Sequence, residues 1–227
     1  MSIALIGGAG EGLGAALGRR FAREGYEVVL ASRSKEGFGK ADLREEAQVV
    51  DLFERAEKRG PVEVAVFNAG ANFRASILET PADMFEKVWR LGCYAGFLFG
   101  REAARRMTAR GRGTILFTGA TASVRGSAQF AAFAAAKGGL RQVAQSMARE
   151  LGPKNIHVAH VVIDGVIDNR RSRERMAERK KESNPTSLPP DGLLATDAIA
   201  ELFWQLHVQP RSAWTFEADL RPWAERF

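Results

Sequence analysis

Three groups of residues in this chain have types and spacings that could do chemistry. The first is a run of glycines near the N-terminus, Gly7-Gly8-Ala9-Gly10-Glu11-Gly12-Leu13-Gly14. Glycine permits a tight turn and lets a ligand approach the backbone closely. A helix that opens directly after such a turn offers free N–H groups and a positive dipole end to a phosphate. An apolar run ending at Ile6 precedes the glycines, and Leu13, Leu17 and Phe21 follow four apart. Strand, glycine turn and amphipathic helix together form the arrangement that cradles a dinucleotide pyrophosphate. The competing reading is a plain βα turn, which would carry the entropic cost of so many glycines without a reason.

The second group is Ser32-Arg33, at the end of the apolar run Tyr26–Ala31. A carboxylate at that place would bind the ribose hydroxyls of NAD, whereas an arginine accommodates the extra phosphate of NADP. No acid stands between Leu30 and Arg33, so NADP is favoured over NAD. Arg33 can also be read as an ordinary surface arginine. Glu11 argues mildly the other way, because a carboxylate beside phosphates repels them. The third group is titratable: His157 and His160 within one apolar run, and Asp164 just after it. One histidine could relay a proton. Lone histidines among apolar residues are more often satisfied core groups, and Asp164 is read as a loop or N-cap residue.

These residues need elements to position them. Short apolar runs alternate with helical patterns, the signature of βαβ units on a parallel sheet. The expected strands are Ser2–Ile6, Tyr26–Ala31, Val62–Phe67, Thr114–Thr118, Ile156–Ile163 and Ala213–Glu217. The expected helices are Gly12–Glu24, Arg44–Arg59, Pro81–Ala109, Ala128–Leu151 and Thr196–Val208, with a loop over residues 183–192. The fold class is therefore α/β: a Rossmann-type doubly wound parallel sheet in three α/β/α layers. Residues 1–227 form a single dinucleotide-binding domain, with 166–192 as a substrate lid or loop. One segment does not fit the pattern. Only eight residues, Ser34–Ala41, lie where a crossover helix and a further strand belong. A crossover needs roughly a dozen residues or more.

Composition narrows the class. The chain has 227 residues, 45% apolar and 26% charged, with a formal net charge of +6 and one cysteine. The single Cys93 excludes an internal disulfide and fits a reducing compartment. No apolar stretch reaches the roughly 18 residues of a membrane span, and Ile3–Ile6 is too short for a signal peptide. A cytoplasmic protein without membrane contact is expected. The positive charge raises the question of nucleic acid. However, the basic residues are interleaved with acids and apolar positions, and no nucleic-acid motif is present. The densest run, Arg170–Lys181, reads as a solvated helix or as a lid that attracts an acidic ligand.

The spacing Gly8-x3-Gly12-x-Gly14 resembles that of the short-chain dehydrogenase/reductase family, in which a threonine usually stands where this chain has Gly7. Asn68-Ala69-Gly70 matches the family's Asn-Ala-Gly motif on the adenosine side. Asp42-Leu43 matches its adenine-contacting pair, and Lys137 matches the lysine of its Tyr-x3-Lys motif. The resemblance implies a cofactor set of Gly8, Gly10, Glu11, Gly12, Leu13, Gly14, Ser32, Arg33, Asp42, Leu43, Asn68, Ala69, Gly70, Lys137, Gly165 and Ile167. It also implies a catalytic tyrosine, serine and asparagine, and here the chain departs. Phe133 stands four before Lys137 and Phe130 seven before it, and phenylalanine has no proton to give. Ala120 falls at the serine position, with Thr121 close enough to substitute, and Gly92 falls at the asparagine position. Asp164-Gly165 replaces a Pro-Gly pair, with Asn169 near the usual threonine.

Of the four catalytic positions only Lys137 clearly survives. It could itself act as the acid if burial lowers its pKa, although holding the cofactor ribose is its usual role. Two functions follow: an NADP-dependent oxidoreductase with altered proton chemistry and an unknown small-molecule substrate, or a non-catalytic NADP(H)-binding sensor or partner protein. Nucleic-acid binding rests on charge alone and ranks last. The resemblance further implies a homodimer or homotetramer, and the aromatic tail after Phe216 is a candidate for packing on a neighbouring subunit.

Overall fold

Eight consecutive residues, Ile156–Ile163, are buried without exception, which requires covering layers on both faces of the strand they form. In the computed structural model, which describes residues 1–34, 39–181 and 189–225, those layers are present. The strands are β1 (Ile3–Gly7), β2 (Glu27–Ala31), β3 (Val62–Phe67), β4 (Gly113–Thr118), β5 (Ile156–Ile163) and β6 (Glu217–Leu220). They form one parallel sheet in the order β2-β1-β3-β4-β5-β6. The helices are α1 (Leu13–Arg23), α2 (Glu46–Glu57), α3 (Ala82–Trp89), α4 (Ala95–Arg110), α5 (Ala131–Leu151), α6 (Arg170–Lys181) and α7 (Thr196–His207).

Strand alternation sends side chains to two cores. Leu5, Phe67, Phe117 and Val158 meet Leu52, Phe99 and Leu140 of α2, α4 and α5 on one face. Ile6, Val66, Leu116 and Val161 meet Leu17, Ile199 and Phe203 of α1 and α7 on the other. Arg20 of α1 ties the second face at its rim, bonded to Glu201 and lying over the Trp204 ring. The Rossmann-type α/β expectation holds. The strand order reverses between β1 and β3, and ligands of such sheets bind in the crevice at the carboxyl ends beside that reversal.

Four local features bear on these expectations, and the last three correct them. First, the short segment after β2 makes no full strand, in keeping with its length. Ser32 N–H donates to Gly39 O at 3.0 Å and Ala41 N–H to Ser32 O at 3.2 Å, a bridge one residue wide. A Cβ on Gly39 would lie 2.0 Å from the Leu30 carbonyl oxygen, so this approach requires glycine. Residues 35–38, inside the segment, lie outside those described. Second, the helix expected over Pro81–Ala109 is interrupted by a π-turn, Arg90–Tyr94. Gly92 sits in it, and a Cβ there would meet Ala136 Cβ at 2.9 Å. The helix yields at the place where it must pass close to α5.

Third, the fourth helix starts at Ala131 rather than Ala128. Gln129 has a positive φ of 70°, which helix cannot continue through. Fourth, the last strand runs over Glu217–Leu220 instead of Ala213–Glu217. Pro210 leads a 3₁₀ turn at Arg211–Ala213. The Gln209 side chain then clamps Thr215 through its N–H (2.8 Å) and hydroxyl (2.9 Å), delaying pairing by a few residues. The basic run is a helix, α6, and most of the loop expected at 183–192 lies outside the described residues.

Candidate active site

A cleft of about 650 Å³ opens at the carboxyl ends of β1, β3, β4 and β5. Its first half is made of backbone. Gly8, Gly10, Gly12, Leu13 and Gly14 line it. Gly8 has a φ of 86°, and a Cβ on it would lie 2.4 Å from the Ala69 nitrogen. Only glycine allows β1 and β3 to end so close together. The closeness is used: Asn68 N–H donates to Gly7 O at 2.7 Å and its side-chain amide to Gly8 O at 3.1 Å. Gly10 has nothing within 4 Å of its would-be Cβ, so the cleft reaches its backbone. No side chain caps the start of α1. The Ala15 N–H is shared between Gly10 O and Gly12 O, both at 3.1 Å, while Leu13 and Gly14, the first two residues of α1, line the cleft, a combination that suits a pyrophosphate.

The flanks are placed as follows. Asn68 and Gly70 line the cleft, Ala69 is buried behind them, and Leu43 is buried under Gly7. Ser32, Arg33 and Asp42 lie beyond the cleft lining at the end of β2. Asp42 is held by the Arg44 guanidinium through Nε (2.9 Å) and Nη2 (2.5 Å), which keeps its carboxyl below the usual range against the opposing effect of burial. The Arg33 charge adds to that lowering, so Arg33 stands within electrostatic reach of Asp42. Glu11 points to solvent, 87% exposed, with Arg170 at 3.8 Å, and does not line the cleft. Gly165 and Ile167 line the opposite wall together with Asn169 and Ser172. The Asn169 side chain accepts the Ser172 N–H at 2.9 Å, capping the start of α6.

The second half of the cleft is made of side chains. α5 presents Phe133 and Lys137 one turn apart on the same face. Lys137 is buried and gives one N–H to Thr118 O at 2.7 Å. Burial pushes its pKa down to about 8. An ammonium has three donors, so two remain for a ligand. Phe130 and Phe133 both line the wall and supply no proton. Thr121, in the 3₁₀ turn Thr121–Ser123 after β4, also lines it, and its hydroxyl donates to Asp164 Oδ1 at 2.5 Å.

Asp164 is the residue that sequence reasoning undervalued. It is buried rather than an ordinary loop residue, accepts from Thr121, and has Arg221 at 3.5 Å. The available signal was its place directly after a fully apolar strand that ends at the cleft. The histidines are core groups with one nitrogen satisfied each. His157 bonds Thr215 O at 2.9 Å and stacks on Trp214, and His160 Nδ1 bonds Glu217 at 3.0 Å. Burial holds the His160 pKa down to about 4, so it is neutral at ordinary pH. Its Nε2 and the His157 Nδ1 have no partner.

Among the described residues no His, Cys, Asp and Glu cluster could hold a metal ion, and no helix is long and apolar enough to cross a membrane.

Comparison with known proteins agrees with this geometry. The family model of the short chain dehydrogenases matches residues 2–180. The 3-oxoacyl-[acyl-carrier-protein] reductase MabA of Mycobacterium tuberculosis is 34% identical over 176 residues, covering 74% of this chain and 70% of that protein. A cyclic-di-GMP-binding biofilm dispersal mediator protein of Escherichia coli is 32% identical over 177 residues, covering 72% of each. The crystal structure of a short-chain dehydrogenase from Rhodopseudomonas palustris is 42% identical, with a TM-score of 0.81, and the match covers 98% of this chain and 99% of that one. With a glycine cradle at the strand-order reversal and a family match over most of its length, the chain belongs to the short-chain dehydrogenases, a family of NAD(P)-binding oxidoreductases with a Rossmann-type fold.

Proposed function

We propose that this protein is an NADP(H)-dependent oxidoreductase that reduces a carbonyl compound, or oxidises the matching alcohol, without the tyrosine its family uses. The observation that carries the reading is the intact backbone cradle joined to a buried lysine with two spare donors in one cleft. Bound there, the nicotinamide would supply or accept the hydride. Gly8 to Gly14 and the start of α1 would hold the pyrophosphate. Lys137 would hold the ribose. Ser32 and Arg33 would take the extra phosphate, which favours NADP over NAD in the absence of an acid at that place. Asp42 and Leu43 would flank the adenine, and Gly165 and Ile167 the nicotinamide edge.

The proton step must come from other groups. Phe133 stands at the family's tyrosine position and carries none. Lys137, with a pKa of about 8, gives up a proton more readily than an exposed lysine does. Its second free donor can point at a substrate carbonyl oxygen, while the Thr121 hydroxyl, whose proton goes to Asp164, can only accept and so would meet the hydroxyl of the alcohol form. Residues 166–192 would close the substrate side as a lid, within a single domain spanning 1–227. A calorimetric titration with NADPH and NADH, followed in the same sample by a panel of carbonyl substrates, tests the reading. NADPH binding with turnover supports it.

A second reading is a non-catalytic dinucleotide-binding protein. A phenylalanine, an alanine and a glycine (Phe133, Ala120 and Gly92) at three of the four catalytic positions favour it, as does a relative whose name describes nucleotide binding. Tight NADPH binding with no turnover on any substrate would select it. Robust turnover lost in Lys137→Ala would exclude it.

A further inference from the structure

Among the described residues the walls of the cleft carry two charged side chains, Arg125 and Lys137, and no carboxylate. Lys137 lies deep, beside Gly70 and Thr118. Arg125 lies at the mouth, exposed, in the loop that follows the Thr121–Ser123 turn. The nearest carboxylate behind the wall, Asp164, is taken by Thr121 and Arg221. Elsewhere arginines hold acids: Arg20 holds Glu201, Arg44 holds Asp42, Arg110 holds Glu57 and Arg141 holds Glu217. Arg125 holds none among the described residues. Between it and Lys137 the wall is aromatic, formed by Phe130 and Phe133. Arg74, outside the cleft lining, lies over the Phe130 ring at 5.8 Å, bonded to the neutral Gln129 side chain and to no acid among the described residues.

We infer that the substrate of the cleft is a carbonyl compound with a flat apolar body and a terminal carboxylate, the body lying on Phe130 and Phe133 and the carboxylate on Arg125. A guanidinium presents a planar fork that matches a carboxylate, and its single charge suits a monoanion. This inference rests on the oxidoreductase reading for the word substrate, but its test reads binding.

The test titrates NADPH-loaded protein with 3-benzoylpropionate and with its methyl ester, which share a phenyl ketone and differ in the charge. The acid is expected to bind about tenfold more tightly than the ester at low salt, the size of one charge-assisted contact. Arg125→Gln should bring the acid-to-ester ratio close to one, while Arg125→Lys keeps part of it. Arg125 has no partner to lose among the described residues, so melting temperature and NADPH affinity should stay those of the wild type. Equal binding of acid and ester, a preference that persists in Arg125→Gln, or binding of neither compound would each overturn the inference. NADPH consumption is followed separately. Acid preference without consumption keeps the carboxylate site and removes the catalytic reading. Consumption of acid and ester alike keeps catalysis and removes the carboxylate site. If NADPH does not bind, the same titration on the free protein still decides the preference.

Discussion

The two halves of the cleft are built from different materials. The proposed phosphate half, from Gly8 to Gly14, consists of main-chain groups held by close approach and by the Asn68 side-chain amide, and the chemistry proposed for it depends on the glycines having no side chains. The proposed reaction half, from Thr118 to Lys137 and Asp164, consists of side chains on α5 and on the loops after β4 and β5. A backbone site is lost with the fold, because the contacts that shape it also join β1 to β3. A side-chain site can lose a reactive group and leave the fold intact. Phe133 illustrates this: it occupies the wall one turn from Lys137, and α5 runs unbroken over Ala131–Leu151 with no proton donor at that place.

The largest effect expected follows from that difference. Gly8→Val would place a branched side chain at a φ of 86° and within 2.4 Å of the Ala69 nitrogen. It should cost about 3 kcal/mol or more and abolish NADPH binding together with the cooperative melt. A variant that melts normally yet fails to bind would separate the two roles and break the comparison.

Next in size is a gain. Phe133→Tyr restores a hydroxyl one turn from an ammonium whose pKa is already near 8. A positioned acid is worth roughly 10²–10⁴ in rate. A carbonyl turnover increase of about 10² with NADPH affinity within twofold of the wild type is expected. No increase would mean that the reaction half lacks more than one hydroxyl, and the non-catalytic reading would gain.

Lys137 belongs to both halves and should show it. Lys137→Met removes a buried charge whose pKa lies well below that of a free lysine. The wild type bears that cost in full below about pH 8, where folded and unfolded lysine are both protonated, and sheds it as the pH rises to about 10.5. The methionine variant should therefore be more stable at pH 7, by about 2 kcal/mol after the lost bond to Thr118 is subtracted. Its NADPH affinity should fall at least tenfold. Lower stability in that variant would mean that the bond to the Thr118 carbonyl outweighs the buried charge.

How much of this was legible in the sequence follows the same division. The glycine cradle was readable because glycine is the residue that a positive φ and a 2.4 Å approach select, and the apolar runs on either side announce strand and helix. β3 and β5 appear with the expected bounds because runs of branched residues buried on both faces have little alternative. The sixth strand was misplaced because the Gln209 clamp on Thr215 is a side-chain contact across six residues that periodicity does not encode. The π-turn at Gly92 escaped for a similar reason, since it answers to Ala136 on another helix. Asp164 was undervalued because its partner Thr121 is 43 positions away and meets it only once β4 and β5 pair.

The smallest effect concerns acid. His160 and His207 are both held neutral by burial, with pKa values pushed down to about 4. His160 bonds Glu217 through Nδ1, and His207 bonds Thr114 and the Tyr26 hydroxyl. The unfolded chain protonates its histidines near 6.5, so it binds more protons than the folded chain between about 6.5 and about 4. Stability must therefore fall across that window as the pH is lowered, and it should be flat just above it. His157 is also pushed down by burial, so in the variant His160→Asn the slope of melting temperature against pH between 6.5 and 4 should fall by roughly a third, because one of three buried imidazoles is gone. An unchanged slope would move the acid sensitivity to His157 and His207 at the opposite end of the sheet, away from the reaction half. A slope reduced by about a third would place that share of it directly behind Gly119, where the imidazole stands 2.4 Å from the position a Cβ would take in the cleft wall.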